Sequence, residues 1–103
     1  MQEEQAVAPM THERREELAA LNVRISETET KINRLKGEVS YFQEFNVRPL
    51  KLALNSTTSA HTRNNIEISL RDCEPQLLAK QKELSDLESQ LRGLCAQRAE
   101  IAA

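Results

Sequence analysis

LAALNVRISETETKINRLKGEVSYF, residues 18 to 42, is the stretch that decides the fold, because its apolar side chains recur in alternating steps of three and four. One position of this series is a threonine, and all the remaining positions are apolar. The members are Leu18, Leu21, Ile25, Thr28, Ile32, Leu35, Val39 and Phe42. This spacing is the heptad pattern of a helix that packs along a partner helix. We call these residues the first seam.

A second seam with the same spacing occupies the C-terminal half of the chain. Its members are Ile66, Leu70, Cys73, Leu77, Lys80, Leu84, Leu87, Leu91, Leu94, Arg98 and Ile101. Lys80 and Arg98 are the clearly polar members. Long basic side chains at such positions lay their stems on apolar neighbours while the charge reaches water. Two seams of this length predict two long helices.

The two seams match when the chain is folded back on itself. One register places Leu35 opposite Leu84. The same register places Ile25 opposite Leu94, and its midpoint falls at residues 59–60, inside a polar segment. Registers one heptad away also match, and the symmetric position of the polar segment favours this one. The sequence therefore predicts a mainly all-α protein, an antiparallel coiled-coil helical hairpin.

The first helix is expected to span residues 12–46. Thr11 is a favourable N-cap residue, and acidic residues follow it in the first turn. Pro49 is expected to stop the helix, because the residue before a proline is pushed out of the α region. Residues 1–11 show little periodicity and are expected to form a flexible arm. The remainder, 12–103, is expected to form one domain.

Between the helices, residues 47–73 are expected to form a non-helical tip. The runs 50–54 and 66–70 place large apolar residues at every second position, which is the spacing of a half-buried strand. The polar segment 55–65 separates them. These features predict a small β-hairpin at the tip, followed by a second helix over residues 74–102.

A competing interpretation keeps the tip helical. In it the second helix begins near residues 64–65 and carries Ile66 and Leu70 in its own heptads. Pro75 argues against a helix that runs without interruption from residues 64–65, because inside a helix a proline removes a hydrogen bond and clashes with the preceding turn. The same proline suits the first turn of a helix that begins near Glu74. We therefore favour the β-hairpin tip.

The composition argues against several classes of function. Charged residues make up 29% of the chain, the net charge is −2 and no cluster of Lys and Arg occupies one face, so binding to nucleic acid is not expected. No apolar run approaches the roughly 18 residues that would span a bilayer, and the N-terminus lacks the regions of a secretory signal. We expect a soluble, cytoplasmic protein without membrane association.

The sequence contains no motif for catalysis, a metal or a cofactor. A Gly-rich phosphate loop, a nucleophile elbow and a paired-His motif are all missing. Cys73 and Cys95 have a spacing that fits no zinc or redox motif, so reduced, structural cysteines are expected. His12 and His61 do not lie at ligand spacing from other candidate ligands. We expect no enzyme activity and no cofactor.

The aromatic residues Tyr41, Phe42 and Phe45 stand at the end of the first helix, and only Phe42 belongs to the seam. They can form a small core that seals the tip, or a binding hot spot, because aromatic residues dominate interface anchors. The second hypothesis gives a set of candidate partner-binding residues at the tip end. The set is Tyr41, Phe45, Leu52, Leu54, His61, Arg63 and Leu78. The middle of the rod carries mixed charges and is expected to face solvent.

The order of helix, tip and helix over residues 12–102, with its two seams and two alternating runs, resembles the subunit plan of prefoldin. The resemblance implies a chaperone whose coiled-coil arms project from a β-built platform, although the glycines usual around its strands are missing here. The chain is also similar to the helical-hairpin stalk proteins of type III secretion and flagellar ATPases, which are typically longer. We expect a non-enzymatic protein–protein interaction module, an adaptor or inhibitor of a larger assembly, with these two families as alternatives.

We predict that the protein self-associates as a homodimer or small oligomer. A single two-helix seam leaves Val23, Leu54 and Leu78 incompletely covered, together with the aromatic residues, and exposed apolar patches favour association. Sedimentation equilibrium is expected to show an apparent mass that rises above the monomer mass with concentration. A monomer mass at every concentration would contradict the prediction.

Overall fold

The computed structural model describes residues 11–102, and 96% of this part of the chain is helical. The elements are α1 (His12–Phe42), a π-helical segment (Gln43–Val47), α2 (Arg48–Ser56) and α3 (Ala60–Ala102). The described residues contain no strand, and the molecule measures 81 × 20 × 15 Å. The predicted all-α class and elongated shape are confirmed. Apart from Thr11, the arm predicted at residues 1–11 lies outside the described residues.

α1 begins at His12, where the sequence predicts it. The Thr11 hydroxyl accepts a hydrogen bond from the Arg14 backbone N–H at 3.1 Å. This bond satisfies one of the donors that every helix N-terminus leaves open. Glu13 adds a negative charge in the first turn, where the helix dipole favours it.

α1 and α3 pack side by side and run in opposite directions. Leu21 and Ile25, near the start of α1, share a buried cluster with Leu94, near the end of α3. In the same region the Arg98 guanidinium donates a hydrogen bond to the Asn22 side-chain oxygen at 3.4 Å. The start of α1 and the end of α3 therefore lie side by side.

Every residue of both seams is buried or partly buried. The buried members are Leu21, Ile25, Thr28, Ile32, Leu35, Ile66, Leu70, Leu77 and Leu94. The partly buried members are Leu18, Val39, Phe42, Cys73, Lys80, Leu84, Leu87, Leu91, Arg98 and Ile101. The Thr28 hydroxyl donates to the Arg24 carbonyl at 2.7 Å, so the polar member of the first seam is satisfied. No described side chain is less than 2% exposed, because two helices form a core one layer deep.

The predicted helix stop at Pro49 is wrong, because the chain stays helical through the proline. Proline has no N–H, and its ring clashes with the carbonyl four residues back. In the π-helical segment the Arg48 N–H bonds instead to the Gln43 carbonyl, five residues back. This wider turn places Pro49 in the first turn of α2, where a helix tolerates proline.

The π-helical segment moves the first seam by one residue. A regular step from Phe42 would bury Phe45 or Asn46, but the extra residue of the π turn brings in Val47, which is 4% exposed. Val47 belongs to a cluster that we call the tip core. Its buried members are Val47, Ile66, Leu70 and Leu77. α2 therefore continues the packing of α1 along the same side of α3.

The two predicted strands are wrong, because residues 50–54 lie in α2 and residues 66–70 lie in α3. The first and last apolar residues of each run are four apart, which is also about one turn of a helix. These outer residues belong to the tip core or pack against it. The middle residues, Leu52 and Ile68, lie on the opposite side and remain 58% and 45% exposed.

α3 begins at Ala60, so the predicted start at Glu74 is wrong and the competing start at residues 64–65 is closer. Pro75 lies inside α3. A proline in a helix interior costs about 3 kcal/mol, whereas burying one large aliphatic side chain contributes roughly 1.5–3 kcal/mol. A continuous α3 places Ile66 and Leu70, which precede the proline, in the tip core beside Leu77, and the burial of these two side chains offsets the cost of the proline.

The turn between α2 and α3 is short. Residues 57–59 separate the two helices, so the polar loop predicted at residues 55–65 is wrong in extent. The Ser59 hydroxyl accepts a hydrogen bond from the Thr62 backbone N–H at 3.3 Å and caps α3. Polar residues that the sequence assigned to a loop therefore form helix ends.

We predict that Gly93→Ala stabilises the protein. Gly93 lies within α3, and a Cβ at this position would have open space around it. Alanine is favoured over glycine in a helix interior by about 1 kcal/mol, so the free energy of unfolding in urea should rise by about that amount. Ala96→Gly, at an exposed position in the same helix, is the matched control and should lower it similarly. Unfolding midpoints that are equal for the two variants would contradict this account.

Candidate protein-binding site

Large apolar side chains that remain exposed gather in the half of the rod that contains the turn between α2 and α3. We call this half the tip half. The exposed residues are Val23, Tyr41, Phe45, Leu52, Ile68 and Leu78. All of them except Val23 lie between residues 41 and 78. Apolar surface that is left uncovered in one region is characteristic of protein-interaction sites. The tip half therefore contains the candidate binding surfaces.

Tyr41 and Phe45 form an exposed aromatic pair. Their ring centroids lie 4.7 Å apart with an angle of 38° between the ring planes. The side chains are 65% and 64% exposed. Phe42, which the sequence groups with them, packs against the tip core instead. The predicted aromatic cluster thus divides into one packing residue and two surface residues.

A groove of about 490 Å³ lies beside Tyr41. Tyr41 and Phe42 form its apolar part, and its polar lining comes from Lys80 of α3 together with Arg34, Glu38 and Asn46. Gly37 also lines the groove and leaves space because it has no side chain. We call this surface the aromatic groove. It combines apolar area, charged side chains and a rigid helical support, which are features of interface anchor sites.

A second cleft, of about 310 Å³, lies between the π-helical segment, α2 and α3. Its apolar lining comes from Val47, Leu52 and Leu77, and its cationic lining comes from Arg48 and Lys51. The remaining lining residues are Gln43, Glu44 and Asn55. We call this surface the basic cleft. It shares no lining residue with the aromatic groove.

The structure places Tyr41 and Phe45 in contact and distributes the other predicted partner-binding residues over α2 and α3. Leu54 packs against the tip core, and Leu78 lines neither the groove nor the cleft. His61 and Arg63 lie in the first turns of α3, where the Arg63 guanidinium donates a hydrogen bond to the Thr57 carbonyl at 3.2 Å. About 18 Å of helix separates Phe45 from this turn. The predicted single site therefore divides into separate surfaces.

Four cations that line these surfaces were missing from the predicted set. They are Arg34, Arg48, Lys51 and Lys80. Lys80 stands out as a polar residue within the second seam. Arg48 and Lys51 fall in the segment 46–66, which contains three Lys or Arg residues and no Asp or Glu. No sequence signal indicates the position of Val47 in the basic cleft, because that position depends on the π-helical segment.

Residues 11–102 contain no candidate metal cluster, and their two cysteines are unpaired. No group of three His, Cys, Asp or Glu residues within this range could hold a metal ion. Cys73 and Cys95 are free thiols on one helix, about 33 Å apart along its axis, so they cannot form a disulfide with each other. None of the helices in the described range has the length and apolar character needed to cross a membrane.

No protein-family model matches this chain, and neither a curated protein nor a solved structure matches it. Its function is therefore inferred from its surfaces. The aromatic groove and the basic cleft are two surfaces that combine exposed apolar side chains with nearby charge.

We predict that the aromatic pair contributes little to folding. Replacing both Tyr41 and Phe45 by alanine should change the free energy of unfolding by less than about 1 kcal/mol, because an exposed pair one helical turn apart contributes only a few tenths. Phe42→Ala is the matched control and should cost at least about 2 kcal/mol, since Phe42 packs against the tip core. Urea denaturation followed by circular dichroism measures both values. A double variant as unstable as Phe42→Ala would show that the pair is part of the core.

Proposed function

We propose that this chain is a non-enzymatic protein–protein interaction module, an adaptor or inhibitor that acts on a larger protein assembly. The observation that carries the proposal is the aromatic pair Tyr41 and Phe45, exposed beside a groove on a helical rod. Aromatic side chains are the commonest anchors of protein interfaces. Leaving two of them in water is unfavourable unless a partner covers them.

The rod supports this role by holding the pair in place. Tyr41 is the residue before Phe42, and Phe42 packs against the tip core, so the backbone beneath the pair is fixed by buried contacts. An anchor held in its bound position loses less conformational entropy when it binds. We therefore propose that a partner binds the aromatic groove without any change in the fold of the rod.

The finer description of the rod is an antiparallel coiled-coil hairpin. Its support is the uninterrupted spacing of the first seam from Leu18 to Phe42 and the shared cluster of Ile25 with Leu94. Arg98 and Lys80 interrupt the second seam and remain partly buried. Polar residues at such positions commonly specify the register of a coiled coil.

The two alternative families, prefoldin and the ATPase stalk proteins, differ in how much support they have. The resemblance to prefoldin depended on strands at 50–54 and 66–70, and both runs are helical, so this alternative loses its main support. A stalk-like hairpin is favoured by the short turn at residues 57–59 between continuous helices. In that role the rod would bind an ATPase ring, and the aromatic groove would face the ring.

The proposal includes a cytoplasmic location and self-association. A reducing compartment suits Cys73 and Cys95, which cannot pair with each other. Leu78 is an exposed apolar residue of α3 outside both the groove and the cleft, and it is a candidate for contact with a second copy.

A retention experiment tests the proposed binding surface. The full chain, immobilised and incubated with an extract of its source cells, should retain a protein that mass spectrometry identifies. Replacing Tyr41 and Phe45 by alanine should weaken the affinity of that purified partner by at least about 2 kcal/mol, or roughly 30-fold, because truncated hot spots cost this much. Titration calorimetry provides the dissociation constants.

Val23→Ala is the matched control for this experiment. Val23 is an exposed apolar residue of α1 that is 56% exposed and lies outside the aromatic groove. Its replacement should leave the dissociation constant within about twofold of the wild-type value. If the aromatic variant binds as tightly as the Val23 variant, the aromatic groove is not the binding site.

A further inference from the structure

We propose that the basic cleft binds an acidic peptide segment of a protein partner, with a large aliphatic side chain of that segment inserted between α2 and α3. The inference rests on the proposed role in protein binding but concerns a second surface and adds the chemistry of the ligand. It would give the chain two separate docking surfaces, as an adaptor requires.

The apolar lining of the cleft fits an aliphatic side chain. Val47 and Leu77, which are 4% and 9% exposed, belong to the tip core and form a fixed apolar base. Leu52 lines the same cleft and is 58% exposed. The volume of about 310 Å³ lies at the lower end of the range for ligand pockets. This space suits a side chain of leucine or methionine size from a partner.

The charges around the cleft favour carboxylates on that partner. Among residues 11–102 no carboxylate lies within ion-pair distance of Lys51. Arg48 pairs with Glu44 in the same turn, but both side chains are more than half exposed. Exposed pairs of this kind contribute only a few tenths of a kcal/mol, so a partner carboxylate can compete for the guanidinium.

The sequence around the cleft has an uneven charge distribution. The segment 46–66 contains Arg48, Lys51 and Arg63 and no acidic residue, although the whole chain carries a net charge of −2. Arg48 and Lys51, which line the cleft, favour acidic ligands over basic ones at this surface. An apolar base with two cations beside it is complementary to a peptide that alternates aliphatic and acidic residues.

A nucleic acid is a weaker candidate for the same surface. Binding to a phosphate backbone uses a row of Lys and Arg contacts, and its affinity grows with the number of phosphates neutralised. The cleft offers two cations, and Glu44 stands beside one of them. Its apolar lining lacks the aromatic side chains on which bases stack.

Selection from a phage-displayed library of random peptides tests the proposal. The full chain is the bait, and enriched peptides are synthesised with a fluorescent label and titrated by anisotropy. We expect the enriched sequences to carry Asp or Glu next to Leu, Ile or Met. Lys51→Glu and Leu52→Ala should each raise the dissociation constant at least about tenfold, and added salt should weaken binding.

Two matched variants serve as controls for the titrations. Lys82→Glu reverses an exposed lysine outside the cleft, and Ile68→Ala truncates an exposed apolar residue of α3 outside the cleft. Each should change the dissociation constant by less than about twofold. Circular dichroism of every variant checks that helicity is unchanged. A labelled single-stranded oligonucleotide is titrated in parallel.

Three results would overturn the proposal. They are a selection without acidic and aliphatic sequences, peptide binding that is insensitive to Lys51→Glu and Leu52→Ala, and an oligonucleotide that binds more tightly than the peptides. None of the cleft variants alters Tyr41 or Phe45, so loss of the peptide site leaves the aromatic groove to be judged by its own partner. Conversely, if peptide binding depends on Lys51, the proposal for the basic cleft holds even when no partner requires the aromatic pair.

Discussion

Burial of Val47 against the apolar side of α3 is the interaction on which the tip half of this protein depends. The π-helical segment brings Val47 to the position that Phe45 or Asn46 would occupy in a regular helix, and the same segment lets the chain remain helical through Pro49. It also leaves Phe45 on the surface next to Tyr41. One extra residue in a helical turn thus fixes both the tip core and the exposed aromatic pair.

The sequence predicted well those regions where burial follows local periodicity. The first seam from Leu18 to Phe42 requires only a partner helix, and its spacing is visible without knowing the tertiary structure. The tip was mispredicted because local signals there oppose tertiary burial. Pro75 and the alternating runs favour interruption and strands, whereas burial in the tip core favours a continuous α3. The exposure of Tyr41 followed from the seam, but the basic cleft did not, because it depends on the shift at Val47.

The aromatic groove and the basic cleft divide the tip half of the rod into two surfaces of different chemistry. The groove presents the rings of Tyr41 and Phe42 beside charged side chains, and the cleft presents aliphatic side chains with Arg48 and Lys51. They share no lining residue, yet Phe42 in the groove and Val47 in the cleft meet in the tip core. A ligand at either surface would therefore contact residues that pack against the same buried cluster.

Because the core is one layer deep, stabilisation by a bound ligand extends only a limited distance along the rod. Because no described side chain is fully buried, each layer of the rod is stabilised mainly by the layers directly above and below it. Proteins built in this quasi-one-dimensional way open locally, and their stability varies along their length. A ligand at the tip would slow amide exchange around Val47 while the cluster of Leu21, Ile25 and Leu94 at the other end keeps its own opening rate. Binding at the tip would therefore leave the local opening equilibrium of the other end largely unchanged.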